Sequence, residues 1–139
     1  MKNLQSKTKF AKYLAMPCLV LTILFSSCSK DKDKAPEGAG SYPKEVNIEY
    51  RVTSVKNIST GDVLYTNETG GNTIVEKVSL PYSVKVKKTV KLNDGLGFNF
   101  SSLTGGEVKV EILVNGQVVE TKSFAGTSII SGTAVYIFQ

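Results

Sequence analysis

The side chains best able to carry acid–base chemistry in this 139-residue sequence are its carboxylates, because the sequence contains no histidine. Two carboxylates held in one cleft can act as general acid and base, as in glycoside hydrolysis. The acidic residues after residue 44 fall at solvent-facing positions of predicted strands or in turns: Glu45, Glu49, Asp62, Glu68, Glu76, Asp94, Glu107, Glu111 and Glu120. No pair is singled out by its spacing, so we expect this protein not to be an enzyme.

Nucleophilic, metal and cofactor chemistry have as little support in the sequence. Without histidine there can be no Ser-His-Asp or Cys-His arrangement, and most zinc sites are excluded. A phosphate-binding loop needs glycines that follow a strand and open a helix, and no glycine here has that position. We therefore interpret the glycines as turn residues: Gly70–Gly71, Gly95, Gly97 and Gly105–Gly106. The sequence predicts no cofactor and no metal site.

A group of lysines is the one candidate interaction face. In the alternation that follows Tyr82, Lys85, Lys87 and Lys91 share one side of a predicted strand, a basic ladder about 20 Å long. Such a ladder could meet anionic lipid or an acidic partner. The alternative, which the pattern favours, is that these lysines protect an exposed strand edge from pairing with other chains.

The aromatic residues could form either a glycan-binding platform or a core. A platform presents exposed flat rings, whereas most of these rings occupy predicted inward positions: Tyr50, Tyr65, Tyr82, Phe98, Phe100, Phe124, Tyr136 and Phe138. We therefore predict that they form the core.

Residues 1–27 have the pattern of a signal peptide. Four lysines in the first twelve residues precede an apolar run over residues 13–25, which is shorter than the roughly twenty residues of a spanning helix. The run ends in Phe25-Ser26-Ser27-Cys28, which resembles a bacterial lipobox. The resemblance implies diacylglycerol on the Cys28 thiol, cleavage before Cys28 and acylation of the new amino terminus, so that the membrane is a partner through lipid.

Of the net charge of +5, four units belong to this N-terminal segment, which has four lysines and no acidic residue. From Cys28 onward thirteen basic residues face twelve acidic ones, a net charge of +1. A nearly neutral chain without a basic block gives no reason to expect nucleic acid as a partner.

Residues 28–43 form a predicted flexible linker after the signal peptide, rich in charged and small residues. Its first part, Ser29–Lys34, resembles the short charged signal that follows the lipidated cysteine of Bacteroidetes lipoproteins. The resemblance implies a lipid-anchored protein of the cell envelope, at the outer membrane.

Residues 44–139 alternate apolar and polar side chains, with turn signals every eight to twelve positions and no helical window. Seven to eight strands in this length predict an all-β domain, an immunoglobulin-like antiparallel β-sandwich; the alternative left open is an up-and-down barrel. Pro81 cannot donate to a strand ladder, so we expect the chain to change strand there.

The strongest local signal is Asn115-Gly116 between two alternating runs, which predicts a type I′ hairpin turn. A two-residue loop would place Ile112 opposite Val119 on the inner face. On the outer face it would set Glu111 opposite Glu120 and Lys109 opposite Lys122.

Four stretches carry a resemblance through their order and spacing: Val46–Thr53, Asp62–Thr66, Val78–Ser83 and Val110–Ser123. They resemble the MmpS family of small membrane-anchored β-sandwich proteins, with Tyr82 where the family has Trp. The resemblance implies a non-enzymatic accessory to an RND-type (MmpL-like) exporter, with an envelope protein as partner. The second function that stays open is a surface-exposed module that binds glycan or matrix in adhesion.

Overall fold

The computed structural model describes residues 41–139, in which eight strands alternate with short turns and no helix occurs. The strands are β1 (Lys44–Lys56), β2 (Thr60–Thr66), β3 (Asn72–Ser79), β4 (Tyr82–Val90), β5 (Gly95–Ser102), β6 (Gly106–Val114), β7 (Gln117–Gly126) and β8 (Ile130–Ile137). Within this range no helix is long and apolar enough to cross a membrane. The predicted signal peptide and Cys28 lie outside the described residues.

The strands form two four-stranded antiparallel sheets that pack face to face. Sheet A has the order β4-β1-β6-β7, and sheet B has the order β3-β2-β5-β8. This arrangement confirms the predicted all-β sandwich, since each described strand pairs within one sheet rather than closing a barrel. The strand change expected at Pro81 is confirmed too, because β3 ends in sheet B at Ser79 and β4 begins in sheet A at Tyr82.

The core lies between the sheets and is built around buried aromatic rings. The Tyr50 ring lies 5.4 Å from that of Tyr65 and 5.2 Å from that of Phe98, measured between centroids. Its hydroxyl donates a buried hydrogen bond of 2.8 Å to the Thr66 carbonyl oxygen, and burial raises the pKa of Tyr50. The predicted aromatic core is confirmed: Tyr50, Tyr65, Phe98, Phe100 and Phe138 are buried, and Tyr82, Phe124 and Tyr136 pack against them half-buried.

The β6–β7 hairpin has the predicted turn and a different register. Asn115 and Gly116 have φ values of 51° and 83°, as a type I′ turn requires. The predicted pairing of Ile112 with Val119 is wrong, because a β-bulge makes Val119 an extra residue and places Ile112 opposite Glu120. The bulge follows from packing, since it lets Val119 contact the edge of the core.

The bulge also corrects the pairs predicted for the outer face. Glu111 lies opposite Thr121 and Lys109 lies opposite Ser123, so like charges do not face each other across this hairpin. The two-residue turn sets only the first pairs, Val114 with Gln117 and Leu113 with Val118, and the extra residue then shifts every later pair by one.

Gly95 and Gly97 belong to strand β5, so their interpretation as turn residues is wrong. Both occupy outward positions, Gly95 before the buried Leu96 and Gly97 between the buried side chains of Leu96 and Phe98, which hold the segment in the sheet. Neither glycine has a positive φ, and a Cβ atom on Gly95 would meet nothing within 4 Å. The alternation of inward apolar residues therefore outweighs the weak strand preference of glycine.

Candidate functional site

A groove of about 750 Å³ opens between the edge strands β7 and β8. At the other end of these strands the gap is narrow, because the chain turns directly from β7 into β8 and the Phe124 ring packs on Gly132. The floor of the groove is apolar and consists of Val46, Val114, Val119, Tyr136 and Phe138. The polar side chains around it are those of Lys44, Asn115, Gln117, Glu120 and Gln139.

Aromatic rings and a lysine define the mouth of the groove beside the start of β1. The Tyr136 and Phe138 rings meet edge to face, with their centroids 5.1 Å apart. The Nζ atom of Lys44 lies 4.6 Å from the centroid of Tyr42, whose hydroxyl donates a 3.0 Å hydrogen bond to the Gln139 carbonyl oxygen. Tyr42 therefore belongs to the folded domain, although the predicted linker extended to residue 43.

The bulge in β7 determines which side chains reach the groove. It places Glu120 opposite the buried Ile112, on the inner side of sheet A, where its carboxylate lines the groove. The Nζ atom of Lys122 lies 3.4 Å from that carboxylate. The predicted outward position of Glu120 is thus wrong, and a carboxylate paired with a lysine stands at the opening of the core.

The outer face of sheet A carries a chain of ion pairs. Glu49 lies 2.8 Å from Arg51 and 3.8 Å from Lys85, while Glu111 lies 3.7 Å from Arg51 and 3.0 Å from Lys109. A hydrogen bond from Arg51 is the main reason that the pKa of Glu49 lies below its usual value of 4.5, although desolvation opposes this shift. Glu111 is buried, unlike the solvent-facing position expected of it, because cations on both sides enclose its carboxylate.

The structure brings two of the three candidate lysines together. Lys85 and Lys87 lie on the outer face of β4, and Lys87 pairs with Glu45 at 2.8 Å. Lys91 lies beyond the end of β4, in a turn where its backbone N–H donates to the Asp94 carboxylate at 2.9 Å. Because acidic residues of β1 alternate with these lysines, the face has mixed charge. β4 is an edge strand of sheet A, the position in which lysines discourage pairing with other chains.

Within residues 41–139 the metal-ligating side chains are dispersed, and the carboxylates of sheet A are paired with cations. Three or more metal-ligating side chains do not come together anywhere in this range. Glu49 and Glu111 are the two carboxylates that share Arg51. For Glu49, the lowered pKa favours the charged form over a proton-donating one. Among the residues that line the groove, Glu120 is the acidic side chain and Lys44 the basic one.

Sequence reasoning missed the groove because its walls come from opposite ends of the domain. Val46, Val114 and Tyr136 meet only through the pairing of β1 with β6 and the stacking of the two sheets. The signal that came closest was Asn115-Gly116, which correctly marks the end of the hairpin beside the groove. No protein-family model matches the sequence, and no curated protein matches it.

Proposed function

We propose that this chain is a lipid-anchored protein of the cell envelope whose β-sandwich is a non-catalytic binding domain, with the groove between β7 and β8 as its binding site. The observation that carries the proposal is the groove itself, which combines an apolar floor with a few polar side chains at its rim. Its volume of about 750 Å³ is within the range of ligand sites.

The anchor is the lipid proposed on Cys28, which would hold the domain at the outer membrane. Two acyl chains are enough for stable attachment, so the folded domain need not contact the bilayer. Replacing Cys28 with Ala should leave the precursor uncleaved or the domain mislocalised. Cys18→Ala, which alters a cysteine inside the proposed signal peptide, is the matched control and should fractionate normally. If Cys28→Ala protein still fractionates with the outer membrane and has the mature mass, the anchor is wrong.

The partner we propose is another envelope protein, which in the role of the MmpS family would be an RND-type exporter. The resemblance of the strand motifs supports this partner, and the accessible groove supplies a surface for it. A photo-crosslinking residue at Gln117, on the groove rim, should capture one defined protein in intact cells. The same probe at Leu103, which is 88% exposed and does not line the groove, should not capture it. Equal capture from both positions would contradict the groove as the binding site.

A second candidate function, glycan or matrix binding, is favoured by Tyr136, a half-buried ring that lines the groove. Asn115 and Gln117 line the same groove, and a ring face together with amide side chains suits the apolar faces and hydroxyls of sugars. This function predicts that neutral oligosaccharides bind the full chain and that Tyr136→Ala abolishes the binding. A panel of oligosaccharides that leaves the groove amide signals unchanged would dismiss it.

A further inference from the structure

Strand β8 presents an open edge of sheet B. In the described part of the chain it pairs with β5 on one side only. The backbone groups of Phe138 point to the side of β5, where they form hydrogen bonds with the turn that precedes β5. The Phe138 N–H donates to the Asp94 carbonyl oxygen at 3.0 Å, and the Phe138 carbonyl oxygen accepts from the Asn93 N–H at 2.8 Å. Because backbone groups alternate along an antiparallel ladder, the amides of Val135 and Ile137 point away from β5, to the open side.

The four sheet edges of residues 41–139 differ in how they are protected. Three of the edge strands carry charged side chains: Glu76 and Lys77 in β3, Lys85, Lys87 and Lys88 in β4, and Glu120 and Lys122 in β7. Lys77 also has a positive φ, at a point where the pairing of β3 with β2 is irregular. Charges and irregularities of this kind are how proteins prevent edge pairing. From Ile130 to Ile137, β8 contains no charged residue and no proline. It is the edge best suited to accept a further strand.

The groove lies along this same edge. Consecutive residues of β8 from Val135 onward line it, which brings the backbone of the edge strand into its wall. Across the groove lie Val114 and the bulged Val119. A strand placed beside β8 could therefore form hydrogen bonds with the free backbone groups of β8. Every second side chain of that strand would point into the apolar space of the groove.

We propose that an extended, uncharged segment of a partner protein, with aliphatic side chains at alternate positions, adds to sheet B as a fifth strand beside β8. This inference rests on the proposed binding function of the groove and specifies how the partner is bound. In strand addition, main-chain hydrogen bonds supply affinity and the pockets for alternate side chains supply specificity. An uncharged segment fits because β8 has no charged side chain, while the charged groups at the groove already have partners, Glu120 in Lys122 and Lys44 in the Tyr42 ring.

A second copy of this chain fits the groove less well. The inward side chains of β8 in a second copy, such as Ala134 and Phe138, are buried in that copy's own core and could not fill the groove. A segment of another protein has its side chains free to do so.

The test uses the full chain in detergent and a short synthetic peptide of alternating Thr and Val, acetylated, amidated and fluorescently labelled. A control peptide has the same side chains but N-methylated alternate amides, so it cannot complete a ladder. Val135→Pro removes an amide that faces the open side while leaving the bonds to β5, and edge strands tolerate proline. Val135→Thr, which keeps that amide, is the matched control.

We expect the fluorescence anisotropy of the unmethylated peptide to rise and saturate as the protein is added. We also expect the backbone amide NMR signals of β8 to shift when the peptide binds. Val135→Pro and N-methylation should each weaken binding at least about tenfold, whereas Val135→Thr should not. If Val135→Pro is misfolded, as judged by its amide spectrum, the N-methylated peptide alone decides. Strand addition is overturned if the peptide does not bind, or if the methylated and unmethylated peptides bind equally well. It is also overturned if the protein forms a dimer through β8 that the peptide cannot disrupt. Capture from Gln117 in cells without any peptide binding would reject this mode of binding and leave the proposed function standing.

Discussion

Replacing Ile112 with Ala perturbs the centre of the sandwich. Ile112 lies on β6, an inner strand of sheet A, and its side chain is completely buried against sheet B. Each methylene-sized group removed from the core costs about 0.8 kcal/mol, so the three lost groups cost roughly 2.4 kcal/mol. A residual cavity on the order of 50 Å³ adds about 1.2 kcal/mol. We therefore expect a loss of roughly 3.5 kcal/mol in the free energy of unfolding.

Urea unfolding of residues 41–139, followed by tyrosine fluorescence, measures this loss. With an m-value of roughly 1.5 kcal/mol per M, the midpoint should fall by about 2 M urea for Ile112→Ala. Lys87→Ala is the control, since its ion pair with Glu45 joins two side chains that are 62% and 61% exposed. Such a pair should contribute under about 0.5 kcal/mol. A larger loss for Lys87→Ala than for Ile112→Ala would refute the assignment of inner and outer faces.

Three further changes test the core, the charged face and the hairpin. Tyr50→Phe removes the hydroxyl that donates to the Thr66 carbonyl and should cost about 1–2 kcal/mol in urea unfolding; a neutral result would contradict that hydrogen bond. Glu49 has a lowered pKa, so its contribution to stability is present above its usual pKa of 4.5 and is lost as the pH falls through the folded-state value. Glu49→Gln should accordingly lower the melting temperature near neutral pH and have a smaller effect near about pH 3, and an effect independent of pH would contradict the ion pair with Arg51. Gly116→Val places a β-branched residue at a φ of 83° and should cost about 1–3 kcal/mol, less than Ile112→Ala; Gly116→Asn, which tolerates positive φ, should cost less than Val.

The alternation of side chains predicted most of the fold because each strand has one face in the core. Val46, Ile48, Tyr50 and Val52 of β1 are all buried, as a two-residue period requires. Pro81 marked the change of sheet and Asn115-Gly116 marked the turn, since both act through the backbone of their own neighbourhood.

Features set by contacts between distant segments could not be predicted in the same way. The bulge at Val119 depends on the space left at the edge of the core. Val118 and Val119 are adjacent and identical, so the sequence pattern alone does not indicate which of them points inward. Burial of Glu111 depends on Arg51 from another strand. The groove forms because β7 belongs to sheet A and β8 to sheet B. The local sequence of a strand does not indicate which sheet the strand joins.

The most direct test of the groove as the binding site is the capture yield of the Gln117 photo-crosslinker in intact cells carrying one of two lysine substitutions. Val119→Lys introduces a charge into the apolar floor, whereas Thr121→Lys places the same charge on the outer face of the same strand. The amounts of both variants in the cells are matched before crosslinking. The groove as binding site predicts that Thr121→Lys retains capture and that Val119→Lys loses it; equal capture by both variants would contradict it.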